Sequence, residues 1–227
     1  MIFAVILAAG QSRRMKKTDK IFCEIQKKPL VFCAIEIFEK HPEINKIILV
    51  SRKKHLKKLS SLIEKYRFKK IAAVIEGGEE RQDSAYAGLR EAEKLGAKKE
   101  DLILFHNAAN PFVARNEITN VIEAAKKHKA ALVGQAAKDT LKKVDENGFV
   151  LKTVDRKNIY LAQTPQIIEY ALAKKAFEKA EKEKFKGTDD VSLVERLGKK
   201  VKIVPCSYRN IKITTRDDLI KPTQKHF

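Results

Sequence analysis

Short continuous apolar runs alternate with longer stretches in which apolar positions recur at helical spacing. The runs cover residues 2–7, 47–50, 71–75, 102–105 and 130–134. Apolar runs of this length, bounded by Gly or polar residues, fit strands buried on both faces better than half-exposed ones. Between them, residues 30–40 carry Val31, Ile35 and Phe38 at helical spacing and stop at His41-Pro42, as helices do before proline. Further helices are predicted from the second run to residue 66, from the Gly77-Gly78 break to residue 95, and over about 116–128. This alternation predicts an α/β fold with a doubly wound, mostly parallel sheet. Ligands of such sheets bind beyond the carboxyl ends of the strands. The loops at Gly10, Gly77 and His106 each follow a strand, so all three are expected at one crevice.

The pattern then changes. Residues 138–145 and 148–154 alternate apolar with polar around Glu146-Asn147-Gly148, a hairpin signal. Residues 136–160 are therefore predicted to form a β-arm that leaves the sheet of a single domain spanning 1–227. A lone hairpin is marginal in water, so the arm is expected to pack on something, plausibly a second subunit. Residues 162–166 return to the core, and a Lys/Glu-rich helix is predicted over 168–185. Thr188 is expected to cap a following helix, with Asp189 and Asp190 as charges favoured at its start. Late strands are predicted at 201–204 and 210–213, and a terminal helix opens at 215–219.

Composition narrows the classes of function. Of 227 residues, 44% are hydrophobic and 34% charged, as in globular domains. The first apolar run is far too short for a bilayer and has no signal-peptide flanks. Cys23, Cys33 and Cys206 are an odd number without Cys-x-x-Cys spacing, which argues for reduced thiols in a cytoplasm and against a zinc site. The net charge of +19 fits either nucleic acid or a polyanionic small substrate beneath a Lys-rich surface. The basic residues lie in dispersed helical segments such as 53–58 and 174–179, and no RNA-binding aromatic motif accompanies them. The balance favours the small substrate.

The chemistry starts where the first strand breaks, at Ala8-Ala9-Gly10, followed by Gln11-Ser12-Arg13-Arg14. Small residues let a ligand approach the backbone, whose N–H groups with nearby Arg and Lys suit an anion. This is a phosphate cradle of neither the P-loop nor the dinucleotide kind.

In this order, several segments resemble the 2-C-methyl-D-erythritol 4-phosphate cytidylyltransferase family. They are Leu7-Ala8-Ala9-Gly10 with Arg14-Met15, Asp19-Lys20, Lys28-Pro29-Leu30, Gly77-Gly78 with Arg81 and Ser84, and Ala108-Ala109 with Pro111. Further on come Asp139-Thr140, Val154-Asp155-Arg156, Gln163-Thr164-Pro165-Gln166, Thr188-Asp189-Asp190 and Asn210-Ile211-Lys212-Ile213-Thr214. The resemblance covers nearly the whole chain and implies a Rossmann-like nucleotidyltransferase. In its reaction the phosphate of a sugar-alcohol phosphate attacks the α-phosphorus of CTP and pyrophosphate leaves. A phosphate monoester is largely ionised at neutral pH, so cationic stabilisation and positioning carry the catalysis. By resemblance, Arg14, Lys20 and Lys212 surround the reacting phosphates, and Mg²⁺ bridges phosphate oxygens with no dedicated protein ligands. Ala8, Ala9, Gly10, Gly77, Gly78, Ser84 and Asn107 hold the nucleotide, and Arg81 orders the loop. Asn110, Thr140, Arg156 and Thr164 meet the acceptor, with Thr140 and Arg156 reaching from the arm into a partner's site in a homodimer. Rival readings are a cytidylyltransferase for another polyol phosphate, such as ribitol 5-phosphate, or a degenerate nucleotide- or RNA-binding homologue.

The chain departs from the family pattern at Asp19-Lys20-Ile21, where the family has Pro-Lys-Gln, at Ser12, where it has its second loop glycine, and at two further positions that matter most. The family normally carries His-Asp-Ala-Ala-Arg-Pro after the fourth strand, and this chain has His106-Asn107-Ala108-Ala109-Asn110-Pro111. One carboxylate and one guanidinium are thus both replaced by carboxamides, which puts the acceptor in question.

Overall fold

The computed structural model of the protein describes residues 1–10, 19–25, 27–215 and 217–220. Arg14 lies outside the described residues. Seven strands form the main sheet: β1 (Ile2–Ala8), β4 (Lys46–Ser51), β5 (Ile71–Glu76), β6 (Leu102–Asn107), β7 (Ala130–Ala136), β10 (Tyr160–Glu169) and β11 (Lys202–Pro205). Their spatial order is β11-β7-β10-β6-β1-β4-β5. β10 runs antiparallel to both its neighbours, β6 and β7, and every other pairing is parallel. Two short strands, β2 (Glu24–Ile25) and β3 (Lys28–Pro29), pair separately.

β1 shows why the apolar runs are continuous. Ile2, Ala4, Ile6 and Ala8 face one hydrophobic core, while Phe3, Val5 and Leu7 face the other. Helices α1 (Leu30–Glu39), α2 (Leu56–Tyr66) and α4 (Arg115–His128) cover the first face. Helices α3 (Arg81–Lys94), α5 (Tyr170–Lys182) and α6 (Ser192–Glu195) cover the second. A strand with helices on both sides has no solvent face, so no position in it needs to be polar. Among the described residues, no helix is long and apolar enough to cross a membrane.

Between β7 and β10, β8 (Leu141–Val144) and β9 (Val150–Val154) pair as a two-stranded hairpin apart from the main sheet. The predicted arm is therefore present. Its turn is wider than a two-residue Asn-Gly loop: the Asp145 N–H donates to the Phe149 carbonyl at 3.0 Å, and Gly148 takes φ +86°. Asp145 Oδ1 also accepts N–H bonds from Asn147 and Phe149.

Three expectations are corrected. Helix α5 starts at Tyr170 because β10 continues through Glu169, paired with β6 and β7. Thr188 does not cap α6, which begins at Ser192, whose N–H donates to Asp189 Oδ1 at 3.0 Å. Residues 210–214 are not a strand. Instead Ile213 N–H reaches across to the Ala109 carbonyl at 2.8 Å, which draws this segment over the end of β6.

Close packing of α3 on β1 generates a prediction. A Cβ on Gly88 would lie 2.3 Å from Val5 Cγ1, and Val5 is completely buried. Gly88→Val should lower stability by about 1–3 kcal/mol, the usual cost of overpacking. Urea unfolding followed by circular dichroism would detect it; an unchanged midpoint would show that the helix shifts away without penalty.

Candidate active site

β1, β5 and β6 release their chains at the same edge of the sheet, and a cleft of about 170 Å³ opens there. Its floor is Ala8, Ala9 and Gly10, and its walls include Lys20, Gly78, Arg81, Ser84, Asn107 and Lys212. Segments as far apart as residues 8 and 212 thus converge on one cavity.

The glycine turn is needed because three surfaces meet there. A Cβ on Gly77 would lie 2.6 Å from Ser84 Oγ and 2.8 Å from Ala9 Cβ, and one on Gly78 would lie 2.3 Å from Asp83 Cβ. The turn is therefore pressed against both the end of β1 and the start of α3. Asp83 Oδ2 accepts the Glu80 N–H at 3.0 Å and closes the first turn of that helix. Ser84 is no cap: it lies inside the helix, and its hydroxyl donates back to the Glu80 carbonyl at 3.1 Å.

Arg81 is the most constrained cation of the cleft. Nη1 and Nη2 donate to the two carboxylate oxygens of Asp190 at 2.9 and 2.5 Å, and Nε donates to Asn107 Oδ1 at 3.2 Å. Burial alone would depress the guanidinium's pKa, but the charge of Asp190 outweighs it and raises the pKa. Asp190 is itself 1% exposed. Its backbone N–H donates to Gln166 Oε1 at 2.9 Å, and the amide end of Gln166 holds Asp189 Oδ2 at the same distance. Asp190 was expected as a helix-start charge; it is the counter-ion of Arg81, more than a hundred residues away.

Lys20 and Lys212 lie on opposite segments drawn together. Lys20 Nζ donates to the Ile213 carbonyl at 3.0 Å, which sets it beside the residue that follows Lys212. Just before it, the Asp19 carboxylate meets Lys54 at 2.9 Å, His55 at 3.4 Å and Arg52 at 3.9 Å. Burial raises the Asp19 pKa, but Lys54 and the neighbouring cations lower it further, to a net decrease.

His106 is wholly buried behind the cleft. Burial pushes its pKa down to about 4, so the ring is neutral, and Nε2–H donates to the Asn110 carbonyl at 2.8 Å. Asn110, expected at the acceptor, is also completely buried. Its side chain does not line the cleft but bonds Asn107, Gln163 and Asn210. Thr164 is 3% exposed, and its hydroxyl accepts the Asn107 N–H at 3.3 Å. Thr140 and Arg156 are exposed at the arm and do not line this cleft. The Arg156 guanidinium bonds the Lys138 carbonyl at the arm's base. Sequence reasoning missed Gln166 and Asn210; their signal is a polar residue in a stretch that packs inside, which becomes visible only once the burial is known.

Among the described residues, no three His, Cys, Asp or Glu side chains gather as a metal cage. What the cleft offers is cationic side chains and small-residue backbone, the chemistry of a site for phosphate groups.

Comparison with known proteins agrees with this chemistry. The profile of the 2-C-methyl-D-erythritol 4-phosphate cytidylyltransferase family matches residues 2–223. A relative of that name from Shouchella clausii is 41% identical over 218 residues, covering 96% of this chain and 93% of the relative. Another from Caldanaerobacter subterraneus is 41% identical over 221 residues, covering 96% of both chains. The crystal structure of 4-diphosphocytidyl-2C-methyl-D-erythritol synthase from Anaerococcus prevotii superposes with a TM-score of 0.84 at 33% identity. That match covers 97% of this chain and 93% of the other.

The buried His106 generates a prediction about acid. Its folded pKa lies below the ordinary histidine value of 6.5, so the unfolded chain binds its proton first as pH falls. The stability tied to a neutral His106 is full above pH 6.5 and is lost progressively as pH falls toward 4. His106→Gln should flatten the decline of unfolding free energy over that range by a part worth about 3 kcal/mol. Equal slopes for the two proteins would refute it.

Proposed function

The chain belongs to the 2-C-methyl-D-erythritol 4-phosphate cytidylyltransferase family, and from that premise we propose how its cleft carries out the family's reaction. CTP and 2-C-methyl-D-erythritol 4-phosphate are joined to CDP-methylerythritol and pyrophosphate, a step of isoprenoid synthesis. The observation that carries the residue-level reading is the convergence of Ala8, Ala9, Gly10, Lys20, Arg81, Ser84, Asn107 and Lys212 on one cleft.

An acceptor phosphate oxygen attacks the α-phosphorus, and the bond from that phosphorus to the β-phosphate bridging oxygen breaks. No proton need be abstracted from an ionised phosphate, so the chain's task is to bring two polyanions together and to stabilise spreading negative charge. In our reading Lys20 and Lys212 flank the reacting phosphates. The backbone of residues 8–10, the Gly77-Gly78 turn and Ser84 take the nucleoside end. Arg81 acts by fixing the start of α3, since Asp190 already occupies its guanidinium. Mg²⁺, when bound, would neutralise phosphate charge; the cleft suits a cation carried in on the nucleotide.

We also propose that the enzyme works as a homodimer in the cytoplasm. Phe149, Val150 and Leu151 on the arm are 72, 60 and 59% exposed, an apolar tip that a second copy would cover. Thr140 and Arg156 sit on the same arm, away from their own cleft, and would then serve the acceptor site of the partner.

The test of the activity is pyrophosphate release with CTP, Mg²⁺ and methylerythritol 4-phosphate, with ribitol 5-phosphate and the other nucleoside triphosphates as parallel arms. Release confined to the first pair is expected; release only with another acceptor would move the substrate. Lys20→Ala and Lys212→Ala should each raise the barrier by about 2 kcal/mol or more, as loss of a preorganised charge contact does. Near-normal kcat in either would remove that lysine from the mechanism. For the arm, Phe149→Asp should halve the mass seen by sedimentation equilibrium, and an unaltered mass would place the interface elsewhere.

A further inference from the structure

Behind the cleft wall, three asparagines line up head to tail. Arg81 Nε donates to Asn107 Oδ1 at 3.2 Å. Asn107 Nδ2 donates to Asn110 Oδ1 at 3.2 Å. Asn110 Nδ2 faces Gln163 Oε1 at 3.4 Å and Asn210 Oδ1 at 3.5 Å, and Asn210 Nδ2 donates to the Thr164 carbonyl at 3.0 Å. Every carboxamide turns its oxygen toward Arg81 and its NH₂ away. Asn110 and Asn210 are completely buried, so water does not compete for these bonds.

We propose that Asn107, Asn110 and Asn210 form a polarised carboxamide relay that positions Arg81 and the Lys212 segment relative to each other. The inference rests on the functional reading above. The aligned dipoles put their negative ends toward the guanidinium, and bonds in such a chain polarise one another. The far end of the relay is Asn210, two residues before Lys212, and Gln135 Nε2 fixes the Asn210 carbonyl at 3.2 Å. The relay thus spans from the nucleotide loop to the lysine opposite. At this size a carboxamide, or a protonated carboxyl, can accept on one side and donate on the other; an ionised carboxylate accepts only. None of the three is a catalytic residue by this account, and the Asn110 side chain does not line the cleft.

Isosteric Asn→Asp variants test it. Asn107→Asp stays ionised beside Arg81, cannot donate to Asn110, and should lose up to about tenfold in kcat throughout pH 6–9, the worth of one buried neutral hydrogen bond. Asn110→Asp puts a carboxyl in a buried site that favours its neutral form. The groups facing it are Asn107, Gln163, Asn210 and the His106 ring, which is neutral above a pKa of about 4; Arg81 is reached only through Asn107. Its rate relative to the wild type should therefore be near one at pH 6 and fall as pH rises and the donating proton is lost. The double variant should be within about twofold of Asn107→Asp alone, since a broken chain cannot be broken again. A multiplicative double loss, or an Asn110→Asp ratio that is flat with pH, would overturn the relay. If Asn110→Asp does not fold, as judged by its melting curve, Asn210→Asp replaces it in the cycle with the same non-additive outcome required. The same ratios are read in CTP affinity by calorimetry. Absent wild-type turnover would sink the functional reading alone, and the relay would stand or fall on those affinities.

Discussion

Arg81 and Asp190 meet through two parallel N–H···O bonds, with the carboxylate almost wholly out of water. An ion pair in that position constrains more than it stabilises. Two desolvated charges offset each other at best, but removing either leaves a buried charge with no partner, typically several kcal/mol. The pair therefore locks the start of α3 against the 188–191 turn. Gln166 on β10 then holds that turn through backbone and side chain together. The glycine turn that forms one wall of the cleft follows from this lock, because with α3 pressed this close only glycine fits at 77 and 78.

The same kind of constraint sets the cleft cations apart from the rest of a chain of net charge +19. Most lysines lie on exposed helix faces, where ion pairs such as Lys40–Glu36 and Lys94–Glu91 are worth little. The cleft cations differ in having their backbones fixed from several directions. Lys20 follows the Asp19 cluster and reaches the Ile213 carbonyl. Lys212 sits on a segment tied to Ala109 through Ile213 and to Asn110 through Asn210. Preorganisation, not the number of positive charges, separates these residues from the surface.

This division also decides what could be read from the residues alone. β1, β4, β6 and β7 were legible because strands buried on both faces are written as unbroken apolar runs; β5 carries the same kind of run but is an edge strand and only partly buried. β10 was not, since Gln163, Thr164 and Gln166 look like a loop; Thr164 and Gln166 are buried and Gln163 partly so, each with a polar partner. Likewise the cleft floor and lysines followed from small-residue motifs and their order. Asp190 and Asn210 are joined to their partners across about half the chain, and no local periodicity records such a bond. Asn110 was expected at the acceptor by resemblance to the family motif; its complete burial turns it inward.

That inward turn bears on the paired departure at positions 107 and 110. A guanidinium at 110 beside a neutral Asn107 would be a buried charge whose direct partners are amides and a neutral imidazole. A carboxylate at 107 beside Asn110 would turn acceptor to acceptor and compete with Asp190 for Arg81. Each single change is costly, whereas both together exchange an ion pair for a hydrogen bond and leave the net charge of the wall unchanged. The two asparagines are best understood as one substitution. The cleft lysines, Lys20 and Lys212, lie on other segments and are untouched by it.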